Sequence, residues 1–162
     1  NLLLDALSMF HDVSWLDTMT IVGDGKLRKK YEKEARLLSA KVIFTGWLNN
    51  SELNKIYSNT HLQIIPSKSE GFPKVLAESC AFGSVPIVTN LPAIIEIINE
   101  KKSNGIIINH LSAKNIYIAI CKLIEDRSLL SVKSKNVVKC LDIFTYEHYN
   151  HNIKTNILDR II

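Results

Sequence analysis

A chain of 162 residues is long enough to bury a real core without disulfide or metal staples, and 46% hydrophobic with 22% charged residues excludes a disordered segment. No run approaches the ~18 apolar residues that a membrane span needs. The 20 Lys and Arg exceed the 16 Asp and Glu by only 4, without a dense basic stripe interleaved with aromatics, so nucleic acid is not the expected partner.

Residues 2–10 read as a helix, and NLLLDALSMF carries neither a basic flank nor a cleavage signal. Thr18–Val22 is an apolar strand that runs into the turn Gly23-Asp24-Gly25. Lys26–Ser39 reads as a charged helix with Leu27, Tyr31, Ala35 and Leu38 on one face. Val42–Phe44 is a short strand closed by Thr45-Gly46, and Asn50 or Ser51 can cap a helix over Glu52–Ser58. A strand at Leu62–Pro66, a helix over 73–82 stopped by Gly83, and a strand at Val85–Thr89 follow. Then come a short helix at Pro92–Asn99, a last strand at Gly105–Ile108, a helix over 113–125 capped by Ser112, and two more helical stretches. Short strands alternating with helices predict one α/β domain over residues 1–162, a Rossmann-like parallel sheet covered on both faces. Runs such as LQII and VPIV agree, because strands buried on both faces do not alternate. Ligands in such sheets sit at the carboxyl ends of the strands, where Gly23–Gly25, Thr45-Gly46, Ser67–Gly71 and Thr89-Asn90 all fall.

The stretch SEGFPKVLAESCAFGSVPIVTN, residues 69–90, carries the most chemistry. Pro73 suits the first helical position, which makes Phe72, a poor capping residue, the cap. The N–H groups of Lys74 and Val75 then lack a side-chain acceptor, and a helix mouth in that state holds phosphate. Gly71 allows close backbone approach, and Lys74 adds a positive charge. Glu70 precedes the helix and Glu78 lies about five residues into it. Carboxylates accept hydrogen bonds from vicinal sugar hydroxyls, so an anion site flanked by two of them describes a nucleotide sugar. Taken alone, an E-x7-E pair is an ordinary loop acid and an ordinary helix acid; its place at a strand–loop–helix switch is what points to a ligand.

The same stretch resembles the E-x7-E segment of retaining glycosyltransferases with the GT-B fold, of the group 1 or family 4 type. IVGDGKLRKKYEKEA resembles that family's VGDGPLR strand–turn–helix, VIFTGWLNNSELNKIYSNTHLQIIPS its V-x-F-x-G…Y-x-x-A-D…P-S stretch, and FTYEHYNHNI its closing F-S-W-E helix. The resemblance implies the C-terminal, donor-binding half of such an enzyme, with a glycan or lipid-linked acceptor bound by an N-terminal domain outside this chain. It implies transfer of a hexose with retention, in polysaccharide biosynthesis, by a cytoplasmic protein that can sit at the inner face of the membrane. Glu70 would be the catalytic carboxylate, touching the transferred sugar and supporting oxocarbenium charge. Glu78 would bind the ribose, the backbone from Gly71 through Phe72, Pro73 and Lys74 to Val75 would hold diphosphate and sugar, Gly23 would admit the diphosphate, and the backbone at Trp47 and Leu48 would meet the base. No metal or other cofactor is expected, and no D-x-D pair occurs.

The sequence departs from the family at three places. The chain begins at a segment resembling the helix after the family's diphosphate-clamping Arg…Lys pair, so that clamp and the first strand are missing; Pro92-Ala93 replaces a Gly-Gly pair; and no P-x-D turn follows Ile108. In strand order 3-2-1-4-5-6 the missing strand lies between Thr18–Val22 and Leu62–Pro66, and the expectation is a slot filled by another segment or chain rather than closed. A nucleotide-sugar epimerase of the same architecture, or a non-catalytic nucleotide-sugar-binding module, are the alternatives. Epimerases lack the E-G-F-P-x-V-x-x-E arrangement, and receiver-type modules would need acids clustered after the first strand. Lys26, Arg28, Lys29, Lys30 and Lys33 read as a solvated helix face, with an anionic membrane as the alternative contact. His61 reads as structural, His148 and His151 as surface residues, and the Trp47 ring as a packing group, with stacking on a base as the alternative. Cys80, Cys121 and Cys140, far apart and without C-x-x-C, read as reduced thiols.

Overall fold

Among the described residues five strands form two parallel sheets rather than one. The computed structural model describes residues 2–71, 73–99, 101–145, 147, 148, 151 and 154. Strand β1 (Met19–Val22) pairs with β2 (Val42–Gly46), and β3 (Leu62–Ile65), β4 (Val85–Thr89) and β5 (Ile106–Ile108) form the second sheet in that order. The helices are α1 (Leu2–Leu7), α2 (Arg28–Ala35), α3 (Asn50–Tyr57), α4 (Lys74–Ala81), α5 (Pro92–Ile95), α6 (Ala113–Glu125) and α7 (Arg127–Val138), followed by a 3₁₀ turn at Leu141–Phe144. The expected α/β, Rossmann-like parallel architecture is what forms. No ladder joins β1 to β3, so the closed five-strand sheet is excluded.

Strand β4 is buried along its whole length, as the run VPIV implies for a central strand. Val85 and Ile87 pack with Ala6 of α1 and with Ile116, Ile120 and Leu123 of α6. Val88 turns to the opposite face and meets Leu76 and Cys80 of α4, Ile94 of α5 and Val137 of α7. Each such side chain taken fully out of water contributes about 1.5–3 kcal/mol, so β4 and its two helical layers are the stable centre. Burial also pushes the Cys80 thiol up to about 12, which makes it inert, in line with the reduced-thiol reading. Helix α1 spans both sheets: Ala6 joins the β4 cluster, whereas Leu4 and Leu7 join Ala35 and Ala40 over β1 and β2.

Gly105 enters β5 where a side chain has no room, since an added Cβ would lie 2.6 Å from Ile98 and 2.9 Å from the Pro86 carbonyl. Gly105→Ala is therefore expected to destabilise the chain by about 1–3 kcal/mol through overpacking against backbone that cannot yield. A urea melt checks this, and an unchanged midpoint would show that β5 shifts freely.

Several boundaries differ from the sequence expectation. Helix α2 is shorter, because the N–H groups of Leu37 and Leu38 bond to Glu34 and Ala35, three residues back, and the chain turns so that Leu38 and Ala40 reach the core. Leu27, expected on the buried face of that helix, is 52% exposed. Helix α3 is capped by Asn49, not Asn50 or Ser51: the Asn49 side chain accepts from the Glu52 N–H, and the Glu52 carboxylate accepts from the Asn49 N–H. Pro73 is itself the cap of α4, and the first helical residue is Lys74. The helix over Ala113–Glu125 has the expected bounds and cap, Ser112 accepting from the Asn115 N–H.

Candidate functional site: two carboxylates around an uncapped helix mouth

The loop after β3 and the start of α4 bring together Glu70, Gly71, Pro73, Lys74, Val75 and Glu78. No side chain caps α4. The Leu76 and Ala77 N–H groups both return to the Pro73 carbonyl, which leaves those of Lys74 and Val75 without an acceptor among the described residues. Both residues are exposed, Val75 to 50%. The mouth therefore presents two N–H donors and the positive end of an eight-residue helix to solvent, with the exposed Lys74 as its first residue. Phe72, the remaining residue expected there, lies outside the described residues.

Each carboxylate is held by a hydroxyl that the sequence reading did not single out. The Ser67 hydroxyl donates to Glu70 Oε1 at 2.6 Å, which folds the half-buried carboxylate back over its own loop. The Tyr57 phenol, at the end of α3, donates to Glu78 Oε2 at 3.2 Å. Helix α4 is pinned to β3 by a bond between the fully buried Ser79 hydroxyl and Gln63 Oε1. At the end of β4, Thr89 Oγ1 is buried without a hydrogen-bond partner among the described residues, at a cost of about 1–3 kcal/mol unless water or ligand meets it.

Gly23, Trp47 and Leu48 gather separately, at the ends of β1 and β2. The Gly23 N–H donates to the Gly46 carbonyl at 2.8 Å, closing the two turns on each other. Gly23 has φ +113 and open space where a side chain would stand, so its backbone is bare to an approaching group. Trp47 is 82% exposed. Packing, the role expected for its ring, is thus corrected: the strand ends at Gly46 and the side chain leaves the core. Arg28 also departs from the solvated-face reading. Its guanidinium donates to Glu32 at 2.7 Å, to Asp24 at 3.3 Å and to the Phe44 carbonyl at 3.0 Å, tying the glycine turn, α2 and β2 together. Glu32 holds it in its charged form above the ordinary arginine range. The spacing Asp24–Arg28–Glu32 was the available signal, with acids four residues before and after one arginine. No hydrogen bond joins the Gly23 group to the Glu70 group among the described residues. Among them too, no three His, Cys, Asp or Glu side chains are gathered for a metal, and no helix is long and apolar enough to cross a membrane.

Parallel strands covered by helices, with an uncapped helix mouth and two hydroxyl-bonded carboxylates after β3, define a Rossmann-like domain. The chain belongs to the glycosyl transferases group 1 family, which residues 2–139 match. An uncharacterized glycosyltransferase of Methanocaldococcus jannaschii is 29% identical over 110 residues, 67% of this chain and 28% of that protein. Among solved structures, Anabaena HepE in complex with UDP-glucose is similar at a TM-score of 0.79 and 19% identity, over 98% of this chain and 44% of that one. The C-terminal domain of a group 1 glycosyl transferase from Francisella tularensis has a TM-score of 0.70 at 23% identity, over 87% of this chain and 76% of that one. The chain thus spans little more than a quarter of the length of the curated relative named here.

Proposed function

We propose that this chain is the nucleotide-sugar donor-binding domain of a retaining glycosyltransferase that moves a hexose onto a glycan or lipid-linked acceptor. The observation that carries the reading is the α4 mouth, with free N–H donors and Lys74 between two carboxylates that are each already oriented by a hydroxyl. In this reading the diphosphate lies on the backbone of Gly71–Val75 and against the Gly23 turn. Glu78 accepts from the ribose hydroxyls, and Glu70 accepts from the sugar and faces the charge that develops at its anomeric carbon. The backbone of Trp47 and Leu48 meets the base. A solved relative of the same fold holds UDP-glucose, which supports this ligand class. The acceptor site belongs to a further domain, and no metal is needed in this scheme. The protein works in the cytoplasm, where the exposed cations of α2 are available to an anionic membrane face.

Calorimetric titration of the full-length protein carrying these residues with UDP-, GDP- and ADP-sugars tests the proposal. One of them is expected to bind, and failure of all three would overturn the reading. Conversion of the sugar to its epimer without glycoside formation would point instead to an epimerase. The 162 residues alone are expected to have no transferase activity, because the exposed crevice must be closed by a second domain before the reaction is shielded from water. Turnover of any nucleotide sugar into a glycoside by this chain alone would refute that expectation.

A further inference from the structure

We infer that Tyr57 is a positioning residue, whose phenol fixes the Glu78 carboxylate for the ribose and thereby sets a preference for ribonucleotides over deoxyribonucleotides. The inference rests on the proposed reading of Glu78 and adds to it the group that acts through Glu78.

Glu78 is an exposed acid in the middle of α4, and left to itself it would sample several rotamers. Tyr57 comes from α3 and is its one hydrogen-bond partner among the described residues. Glu78 and Phe82 are four residues apart and so neighbours on one helix face. The Tyr57 ring lies across both, its hydroxyl on Glu78 and its plane against Phe82 at 6.0 Å and 29°. Tyr57 as a whole is only 8% exposed, so its side chain does not swing away as that of a surface tyrosine would. Burial and then the Glu78 charge push the phenol up to about 12, so it remains a donor through the whole working pH range. The bond engages Oε2, and Oε1 has no hydrogen-bond partner among the described residues, which leaves it able to accept from a ligand hydroxyl. A carboxylate prepared in this way spends no binding energy on its own ordering. Simple packing of α3 on α4 would need the ring and not the hydroxyl, and this difference can be measured.

The test uses the full-length protein and whichever of UDP, GDP and ADP it binds, beside the 2′-deoxy counterpart of that nucleotide. The wild type is expected to bind the deoxy form roughly tenfold more weakly, the loss of one charge-assisted hydrogen bond. Tyr57→Phe keeps the ring and its stack on Phe82. It is expected to reduce that ratio to below about threefold while the Kd of the deoxy form stays within about twofold of wild type. Glu78→Ala should abolish the ratio. If Glu78→Ala abolishes it and Tyr57→Phe leaves it intact, the positioning role is overturned. If Glu78→Ala leaves it intact, the ribose reading of Glu78 itself fails. Equal loss of both nucleotides in Tyr57→Phe would make Tyr57 a support of the fold alone, and would also overturn the inference.

Discussion

In the complete enzyme, Glu70→Gln is expected to lower kcat by roughly 10²–10³-fold while changing the donor Kd by less than about threefold. The substitution is unusually clean here. The amide oxygen of Gln can still accept from the Ser67 hydroxyl, so the side chain keeps the place that the 2.6 Å bond gives Glu70. It can also still accept from a sugar hydroxyl. What it cannot do is face developing positive charge with a full negative charge, and only an interaction stronger in the transition state acts on the chemical step. Glu78→Ala should do the opposite, weakening donor affinity by roughly tenfold or more with a smaller effect on kcat, since ribose contacts are equal in ground and transition states. Steady-state kinetics with donor titration separates the two. Reversed phenotypes would exchange the roles of the carboxylates and sink the mechanism proposed for this site.

The sequence made the order of elements legible because its strands are apolar runs between turn residues, and β4 and α6 have the expected bounds. It was weaker at helix ends, where tertiary demands decide. Asn49 rather than its two polar neighbours caps α3 because Glu52 stands three residues on and completes the capping box. Leu38 leaves α2 because the core it packs against lies to one side, whereas Leu37 stays in solvent. Glu70 and Glu78 could be picked out because a fixed spacing brackets a helix start. Ser67 and Tyr57 could not, because a hydroxyl aimed at a carboxylate across a loop, or from another helix, leaves no periodicity in the chain. Trp47 was misread because an aromatic beside a strand end usually packs. Here the buried residue is Gly46, whose φ of +73 turns the chain outward.

A strand supplied from elsewhere in the full-length protein, or from a partner, is expected to enter between β1 and β3. Strand β4 is buried throughout, whereas the residues of β1 and β3 are half-buried or exposed, as strands with one unpaired edge would be. Closing the gap by pairing β1 with β3 would bring them to about 4.8 Å. Helix α1, with Ala6 in one cluster and Leu4 and Leu7 in the other, would then lose its seat on one of them. A single added strand satisfies both edges. Two residues on each four-residue strand point their N–H and C=O into the gap. An inserted parallel strand would thus form roughly eight bonds, which at ~0.5–1.5 kcal/mol each is a gain of several kcal/mol before apolar burial is counted. Hydrogen exchange followed on Met19–Val22 and Leu62–Ile65 is the direct measurement. In the 162-residue chain the gap-facing amides should exchange fast, and in the full-length protein at least roughly 10³-fold more slowly, the factor that the low end of that gain, ~4 kcal/mol, implies. Equal exchange in the two proteins, or a solved structure with β1 laddered directly to β3, would show that nothing enters the gap.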